Sequence, residues 1–204
     1  MKDHWEQIYA TKPATGVSWF QEHAVRSLGL IESTDEPTSA AIIDVGGGAS
    51  TLVDDLLAAG YSKLTVLDLS LAALQATQSR LGPAAARVEW LEGDITSIQL
   101  PAHAFDIWHD RAVFHFLTTA EQRQAYVRKV LTAVKPGGHI IVSTFAEDGP
   151  LQCSGLPVTR YSAAGLHAEF GPPFELLRHE TEVHLTPSGN TQQFVYCYCR
   201  TKRA

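Results

Sequence analysis

The sequence lacks the features that mark several classes of protein. No run of lysine and arginine occurs among its 204 residues, and the formal net charge is −6. This argues against nucleic acid as a partner, because a nucleic-acid backbone calls for a basic face. No apolar stretch approaches the length of a membrane span, and the N-terminus from Met1 to Trp5 does not resemble a signal peptide. We therefore expect a cytoplasmic protein that binds neither nucleic acid nor membrane.

Cysteine is scarce, and the histidines show no metal-ligand spacing. Three cysteines suit a reducing compartment. Cys197 and Cys199 alternate within a predicted strand, so we interpret them as packing residues on one side rather than as a disulfide. The nine histidines predict no metal site. The length fits a single domain over residues 1–204, with a cap or lid segment over 1–40 and the core over 41–204.

A glycine turn between a predicted strand and a predicted helix is the most informative local pattern. Ala41–Val45 is typical of a short buried strand, Gly46, Gly47 and Gly48 follow, and an apolar period begins at Leu52. Glycines allow a tight turn and a close approach of a ligand to the backbone. The run lacks the third glycine of a dinucleotide fingerprint and the lysine of a phosphate-binding loop. It therefore indicates a ligand site of another kind.

Carboxylates accompany three successive predicted strands. Asp44 lies near the end of the first strand, Asp68 ends the second, and Asp94 follows the third. The carboxyl ends of parallel strands meet at one edge of a sheet, so we expect these acids to lie close together. Asp68 stands 20 residues past Gly48, about where a carboxylate meets the ribose hydroxyls of a bound nucleoside.

The glycine turn, the three acids and the block Lys135–Val142 together resemble the class I S-adenosylmethionine-dependent methyltransferases. The resemblance extends from Ile42 to about Arg200. The resemblance implies an α/β fold with a doubly wound, mostly parallel seven-stranded Rossmann-like sheet and helices on both faces. Predicted strands at Phe174–Leu185 and Gln193–Arg200 would close it with an antiparallel hairpin. The implied methyl donor is S-adenosylmethionine, with S-adenosylhomocysteine as product. The residues implied in cofactor binding are Asp44, Gly46, Gly47, Gly48, Asp68, Leu69, Asp94, Ile95 and His109.

Polar residues cluster after the fourth predicted strand, at the sheet edge where ligands bind. The candidates for catalysis are His109, Asp110, Arg111 and His115. A histidine is the candidate base at neutral pH, although His115 is alternatively a packed helix residue with a satisfied hydrogen bond. Arg111 either holds an anionic group or pairs with Asp110. The Asn/Asp-Pro-Pro-Tyr/Phe signature of adenine- and glutamine-directed relatives is absent here, which counts against DNA bases and amide nitrogens as acceptors.

Two segments supply candidates for acceptor binding. The aromatic residues before the first strand either form a lid over the site or pack as an ordinary amphipathic cap. The loop Ala146–Tyr161 is too long for a plain connection and should lie beside the cofactor. The acceptor-binding candidates are Trp5, Tyr9, Trp19, Arg111, Cys153, Arg160 and Tyr161.

We predict a methyltransferase, monomeric or homodimeric, that acts on a small molecule through an oxygen, nitrogen or sulfur atom. A protein-lysine methyltransferase is the alternative, since the spacing of Trp5, Tyr9 and Trp19 resembles the start of certain seven-strand enzymes of that kind. A non-catalytic nucleoside-binding protein is the second alternative.

Overall fold

The computed structural model describes residues 1–202, and a sheet of seven strands forms their centre. Its strands are β1 (Ala41–Val45), β2 (Lys63–Asp68), β3 (Val88–Glu92), β4 (Phe105–Arg111), β5 (Val134–Phe145), β8 (Phe174–Leu185) and β9 (Thr191–Thr201). Two further strands, β6 (Gln152–Cys153) and β7 (Leu156–Pro157), pair with each other outside this sheet. The α-helices are α1 (Lys2–Thr11), α2 (Val25–Glu32), α3 (Leu52–Ala58), α4 (Leu71–Leu81), α5 (Ala120–Ala133) and α6 (Ala163–Phe170). Short 3₁₀ turns occupy Ala14–Gly16, Gly82–Arg87 and Phe114–Phe116.

The order of the strands creates a crevice at the centre of the sheet. The order is β3-β2-β1-β4-β5-β9-β8, and β1 to β5 pair in parallel. The chain moves outward from β1 to β3 and returns to β4 on the other side of β1. In such sheets ligands bind beyond the carboxyl ends of the strands at this switch point. β9 runs antiparallel to both β5 and β8, so the predicted seven-stranded sheet with its C-terminal hairpin is confirmed.

Alternate residues of the central strands enter two separate cores. Ile43 and Trp108 pack in one core with Tyr126 of α5 and Phe170 of α6. The neighbouring Ile42 and Ile107 pack in the other core with side chains of α2, α3 and α4. Because successive side chains of a strand point to opposite faces, a nearly continuous apolar run in the sequence covers both faces of the sheet, as in buried parallel sheets.

Three helices begin at residues whose side chains cap them. Ser70 Oγ accepts a hydrogen bond from Ala73 N–H at the start of α4. Thr119 and Gln122 form a capping box at the start of α5. Ser162 Oγ accepts from Gly165 N–H at the start of α6. Each cap supplies a local partner to a backbone N–H that the helix itself leaves free.

The N-terminal segment differs from the sequence prediction, because it contains a second helix, α2. No side chain of its own first turn caps α2. Instead, the Asp55 carboxylate accepts a 2.7 Å hydrogen bond from the backbone N–H of Ala24. A partner 31 residues away leaves no local signature of a helix start.

The first helix, α1, contacts the rest of the chain mainly through its polar side chains and its aromatic residues, and none of its residues is fully buried. The Glu6 carboxylate accepts hydrogen bonds from Leu71 N–H (2.7 Å) and Ala72 N–H (3.1 Å) at the N-terminus of α4. An acid at a helix N-terminus is favourable because the free N–H groups there carry partial positive charge. Lys2 Nζ pairs with Glu92 at the end of β3. These contacts lay α1 across the carboxyl ends of β2 and β3.

Candidate functional site

An open cavity lies beyond the carboxyl ends of the central strands. Its floor is formed by the ends of β1, β2 and β4, and its roof by α1 and the segment that follows α1. A smaller hollow adjoins it on the other side of Gly46, between the glycine loop and α2.

Asp68 is held at the edge of the large cavity by backbone groups. Gly48 N–H donates to one carboxylate oxygen (3.0 Å) and Ser70 N–H to the other (2.8 Å). Burial nevertheless raises the pKa of Asp68 to about 6, because the charged form loses water. Each oxygen keeps a second lone pair, so this carboxylate can still accept hydrogen bonds from a ligand.

The glycine loop packs directly against the two acids. A Cβ atom at Gly47 would lie 2.2 Å from Asp44 Oδ2, and one at Gly48 would lie 2.6 Å from Asp68 Oδ2. Gly46 has a positive φ of 73°, and a Cβ there would lie 2.0 Å from Val113 Cγ2. The absence of side chains at these three positions is therefore a steric requirement of the loop.

The adenine-side candidates also line the large cavity. Leu69, Asp94 and Ile95 border it beside Asp68. Asp94 Oδ1 accepts from the backbone N–H (2.8 Å) and the hydroxyl (2.6 Å) of Thr96, which closes a turn and fixes the carboxylate. The structure thus brings together the acids that the sequence assigned to strands two and three.

His109 faces the smaller hollow rather than the large cavity. Its Nδ1 lies 2.7 Å from Asp44 Oδ1 and its Nε2 lies 2.8 Å from Ser27 Oγ on α2. Both ring nitrogens are thereby engaged. A base needs a free lone pair within reach of the acceptor, so this geometry does not support the predicted catalytic role of His109. The predicted role of His109 in cofactor binding stays a prediction.

Arg111 is the one predicted catalytic residue that borders the large cavity within the described chain. Its guanidinium donates to the Tyr196 hydroxyl (3.1 Å) and to the carbonyl of Trp19 (3.3 Å), and lies 3.4 Å from the Glu182 carboxylate. The expected pairing with Asp110 is wrong, because adjacent residues of strand β4 point to opposite faces of the sheet. Arg111 fixes Trp19 at the cavity wall, and its charge is already balanced by Glu182.

Asp110 lies on the opposite face and takes part in the core. One of its oxygens accepts from Val113 N–H (2.8 Å) and the other from the Tyr126 hydroxyl (2.7 Å). That hydroxyl in turn accepts from Trp108 Nε1–H (2.8 Å). Burial raises the pKa of Asp110 to about 6. The structure does not bring this acid to the cavity, and its contacts are those of a residue that shapes the turn after β4.

His115 is also enclosed. It is fully buried between Phe116 and Phe145, and its Nδ1 accepts a long 3.4 Å hydrogen bond from Phe145 N–H. Its Nε2 has no partner. Burial and the nearby Arg111 lower its pKa to about 3, so it is neutral and weakly basic. The structure therefore favours the packing alternative for His115, although only one ring nitrogen is satisfied rather than both.

The aromatic residues of the N-terminal segment form the roof of the large cavity. We call Trp5, Tyr9, Trp19 and Phe116 the aromatic roof. The Trp5 ring meets Phe116 edge to face at 5.2 Å and Trp19 at 5.7 Å, and Tyr9 stacks on Trp5 at 6.2 Å. Aromatic pairs favour these offset and edge-to-face distances. These rings cover the cavity, and the action of the segment as a lid stays a prediction. Phe116 is a lining residue that the sequence did not single out.

The remaining acceptor-binding candidates divide into two groups. Cys153 lines the cavity, and burial raises the pKa of its thiol to about 12, so the thiol stays protonated. Arg160 donates instead to the carbonyl of Gly149 (3.0 Å) inside its own loop. Tyr161 is buried in the core beside Phe114. The structure therefore does not bring Arg160 or Tyr161 to the cavity, because the loop folds back on itself around the short β6–β7 hairpin.

Residues 1–202 contain neither a metal-binding cluster nor a membrane-spanning helix. In this part of the chain, no three histidine, cysteine or acidic side chains come close enough together to hold a metal ion. No helix here is both long and apolar enough to cross a membrane. The cysteines are unpaired, and the Cys197 and Cys199 sulfurs lie on one side of β9, 3.1 Å apart.

This chain is similar in sequence to known methyltransferases. The family described as "Methyltransferase domain" matches residues 42–138. EEF1A lysine methyltransferase 2 of Danio rerio is 25% identical over 157 residues, which cover 70% of this chain and 67% of that protein. An uncharacterized methyltransferase of Mycobacterium tuberculosis is 32% identical over 108 residues, which cover 51% of this chain and 50% of that protein. The match to this second relative thus spans only about half of its length.

Similarity to solved structures extends over nearly the whole chain. The 1,6-didemethyltoxoflavin-N1-methyltransferase of Burkholderia thailandensis, solved with 1,6-didemethyltoxoflavin and S-adenosylhomocysteine bound, superposes with a TM-score of 0.71. The superposition covers 98% of this chain and 87% of that one at 18% identity. At this identity the likeness concerns the fold.

Proposed function

The chain belongs to the class I S-adenosylmethionine-dependent methyltransferases, and we propose that its acceptor is a small molecule bound under the aromatic roof. The family membership confirms the resemblance seen in the sequence. The cofactor supplies a methyl group on a positively charged sulfur, which a nucleophile displaces. The contribution of the protein is then to hold both reactants in line.

The cavity fits this cofactor on structural grounds. Asp68 presents free lone pairs at the cavity edge, which suits the two hydroxyls of a ribose. Asp94 and Ile95 border the neighbouring space, where they would hold the adenine. Asp44 Oδ2 is buried beside the glycine loop and has no hydrogen-bond partner, so it offers an acceptor to the cationic amino group of the methionine part. An unpaired buried carboxylate oxygen is unfavourable unless a ligand satisfies it.

The observation that carries the acceptor proposal is the aromatic roof itself. It lies over the same cavity that Asp68 and Asp94 border, so one cavity would receive both reactants. The acceptor would then share this space with a nucleoside cofactor, which favours a compact molecule. Rings of Trp5, Tyr9 and Phe116 provide flat apolar surface with Tyr9 as a polar contact, which favours an aromatic or apolar acceptor.

The titratable groups of the cavity support catalysis by alignment rather than by proton transfer. Burial raises the pKa of Tyr9 and of Cys153, so both stay protonated. Arg111 is occupied by Glu182, Tyr196 and the Trp19 carbonyl. These residues can orient an acceptor and exclude water. An acceptor whose nucleophilic atom already carries a free lone pair suits such a site.

A protein lysine is the second candidate acceptor. The zebrafish relative, named as a lysine methyltransferase, matches 70% of this chain. The aromatic roof would also suit the alkyl part of a lysine side chain. A lysine must lose a proton before transfer, and that step is the chemical difference between the two candidates.

The test is a transfer assay with radiolabelled S-adenosylmethionine and a cell extract split into a small-molecule filtrate and a protein fraction. The proposal predicts label in an extractable small product from the filtrate. Label on one protein band, removed by blocking lysines beforehand, would support the lysine alternative instead. Cofactor binding without transfer to either fraction would favour the non-catalytic nucleoside-binding protein. Asp68→Asn serves as the control variant that should lose transfer in all cases.

A further inference from the structure

Three buried side chains form a hydrogen-bonded chain behind the glycine loop. Ser27 on α2, His109 on β4 and Asp44 on β1 are 1%, 2% and 3% exposed. The Ser27 Oγ to His109 Nε2 distance is 2.8 Å, and the His109 Nδ1 to Asp44 Oδ1 distance is 2.7 Å. These two hydrogen bonds join three elements that are distant in sequence.

The chemistry of the three groups fixes the direction of the bond between His109 and Asp44. A carboxylate only accepts, so His109 Nδ1–H donates to Asp44 Oδ1. Nε2 accepts from the Ser27 hydroxyl in the neutral imidazole and donates to Ser27 Oγ in the imidazolium, and the bond to Asp44 is the same in both forms. The same order of serine, histidine and aspartate occurs in hydrolases. Here, however, the Ser27 side chain is buried, so its hydroxyl is not presented to a substrate.

The arrangement leaves one oxygen of Asp44 free and aimed at the loop. Asp44 Oδ1 is taken by His109, whereas Oδ2 is buried without a partner. Asp44 borders the smaller hollow together with Gly46 and Gly47, and its Oδ2 lies 2.2 Å from the position that a Cβ atom of Gly47 would take. A rotation of the carboxylate would break the bond to His109, so the histidine determines which way the free oxygen points.

We propose that Ser27 and His109 are positioning residues, which hold Asp44 Oδ2 toward the cationic amino group of the cofactor's methionine part. This inference rests on the proposed function, which supplies the cofactor at the glycine loop. It assigns to His109 a role in cofactor affinity that acts through Asp44. The nucleoside part of the cofactor would lie beside Asp68, so its binding would not depend on Ser27 and His109.

The test compares two ligands that differ in the amino-acid part. S-adenosylhomocysteine carries the amino group, whereas 5′-methylthioadenosine has the nucleoside and the sulfur alone. Calorimetric titrations of both are made with the wild type and with His109→Leu, His109→Asn and Ser27→Ala. We expect His109→Leu to weaken S-adenosylhomocysteine binding about tenfold or more, with the methylthioadenosine affinity changed by less than about twofold.

His109→Asn is the conservative variant, because an amide N–H can replace Nδ1–H as donor to Asp44. It should recover most of the affinity lost in His109→Leu, and Ser27→Ala should lie between the two. Equal losses for both ligands would overturn the inference, as would unchanged S-adenosylhomocysteine binding in His109→Leu. If His109→Leu does not fold, the same comparison is decided by Ser27→Ala. A wild type that binds neither ligand would instead overturn the proposed function.

Discussion

Replacement of Asp68 by asparagine is expected to weaken cofactor binding while leaving the free protein folded. The carboxylate is 8% exposed, and burial raises its pKa from 3.8 to about 6. A carboxyl group with a higher pKa in the folded chain is less stable as the anion than it is in the unfolded chain. Its contribution to stability therefore falls as the pH rises from about 4 to 6 and stays unfavourable above that.

The magnitudes follow from this shift and from the hydrogen bonds. A shift of about two pKa units corresponds to about 3 kcal/mol of destabilisation at neutral pH. Asparagine removes this destabilisation. Its amide oxygen still accepts from one of the two backbone N–H groups, of Gly48 and Ser70, but its NH₂ group cannot accept from the other, which costs about 1–3 kcal/mol. The free energy of unfolding should thus change by less than about 2 kcal/mol. Loss of charge-assisted bonds to the ribose should weaken S-adenosylhomocysteine binding about 10- to 100-fold.

The assay combines calorimetric titration with urea denaturation. Asp106→Asn is a matched control, since Asp106 also accepts from a backbone N–H, that of Ala41, but lies at the opposite end of β4. The control should leave the affinity for S-adenosylhomocysteine unchanged. An Asp68→Asn variant that folds and binds with wild-type affinity would refute the assignment of the ribose site.

Three further outcomes are expected. Near pH 6 the Asp68 carboxyl is about half protonated, so binding of S-adenosylhomocysteine should release protons. The measured binding enthalpy should therefore depend on the buffer at about pH 6 but not at about pH 8. Equal enthalpies in all buffers would contradict this. Deletion of residues 2–11, none of them fully buried, should shift Tm by only a few degrees. Because Trp5 and Tyr9 of the aromatic roof are lost, the dissociation rate of S-adenosylhomocysteine should rise about tenfold in stopped-flow measurements. An unchanged rate would argue against the lid. Tyr126→Phe removes a hydrogen-bond partner from both Asp110 and Trp108. Urea denaturation should therefore show that the free energy of unfolding falls by about 2–4 kcal/mol, with unchanged cofactor affinity. A smaller loss would mean that water replaces the hydroxyl.

The sequence was most informative where a single local constraint determines the structure. Gly47 and Gly48 have no space for a side chain beside Asp44 and Asp68, and such a requirement leaves a direct trace in the sequence. The caps at Ser70, Thr119 and Ser162 likewise involve partners within one helical turn.

Features that depend on distant partners could not be predicted in the same way. Helix α2 was missed because its first N–H group is satisfied by Asp55 of α3. The orientation of His109 depends on Ser27, which lies on that missed helix. Period-two alternation does place His109 and Arg111 on one face and Asp110 on the other, but it does not say which face borders the cavity.

The role of α1 shows the same limit. The aromatic spacing indicated a helix with an apolar face, and both a lid and an ordinary cap were consistent with it. The position of α1 over the cavity depends on Glu6, which accepts hydrogen bonds from the N-terminus of α4. A hydrogen bond across 65 residues has no sequence pattern of its own.

The most direct test of the central claim is a calorimetric titration of the wild-type protein with S-adenosylhomocysteine, run beside NAD. Both ligands contain an adenosine, so the comparison asks whether this glycine loop and these acids select the sulfur nucleoside. The account predicts micromolar binding of S-adenosylhomocysteine and no binding of NAD. No binding of S-adenosylhomocysteine, or equal binding of the two ligands, would contradict it.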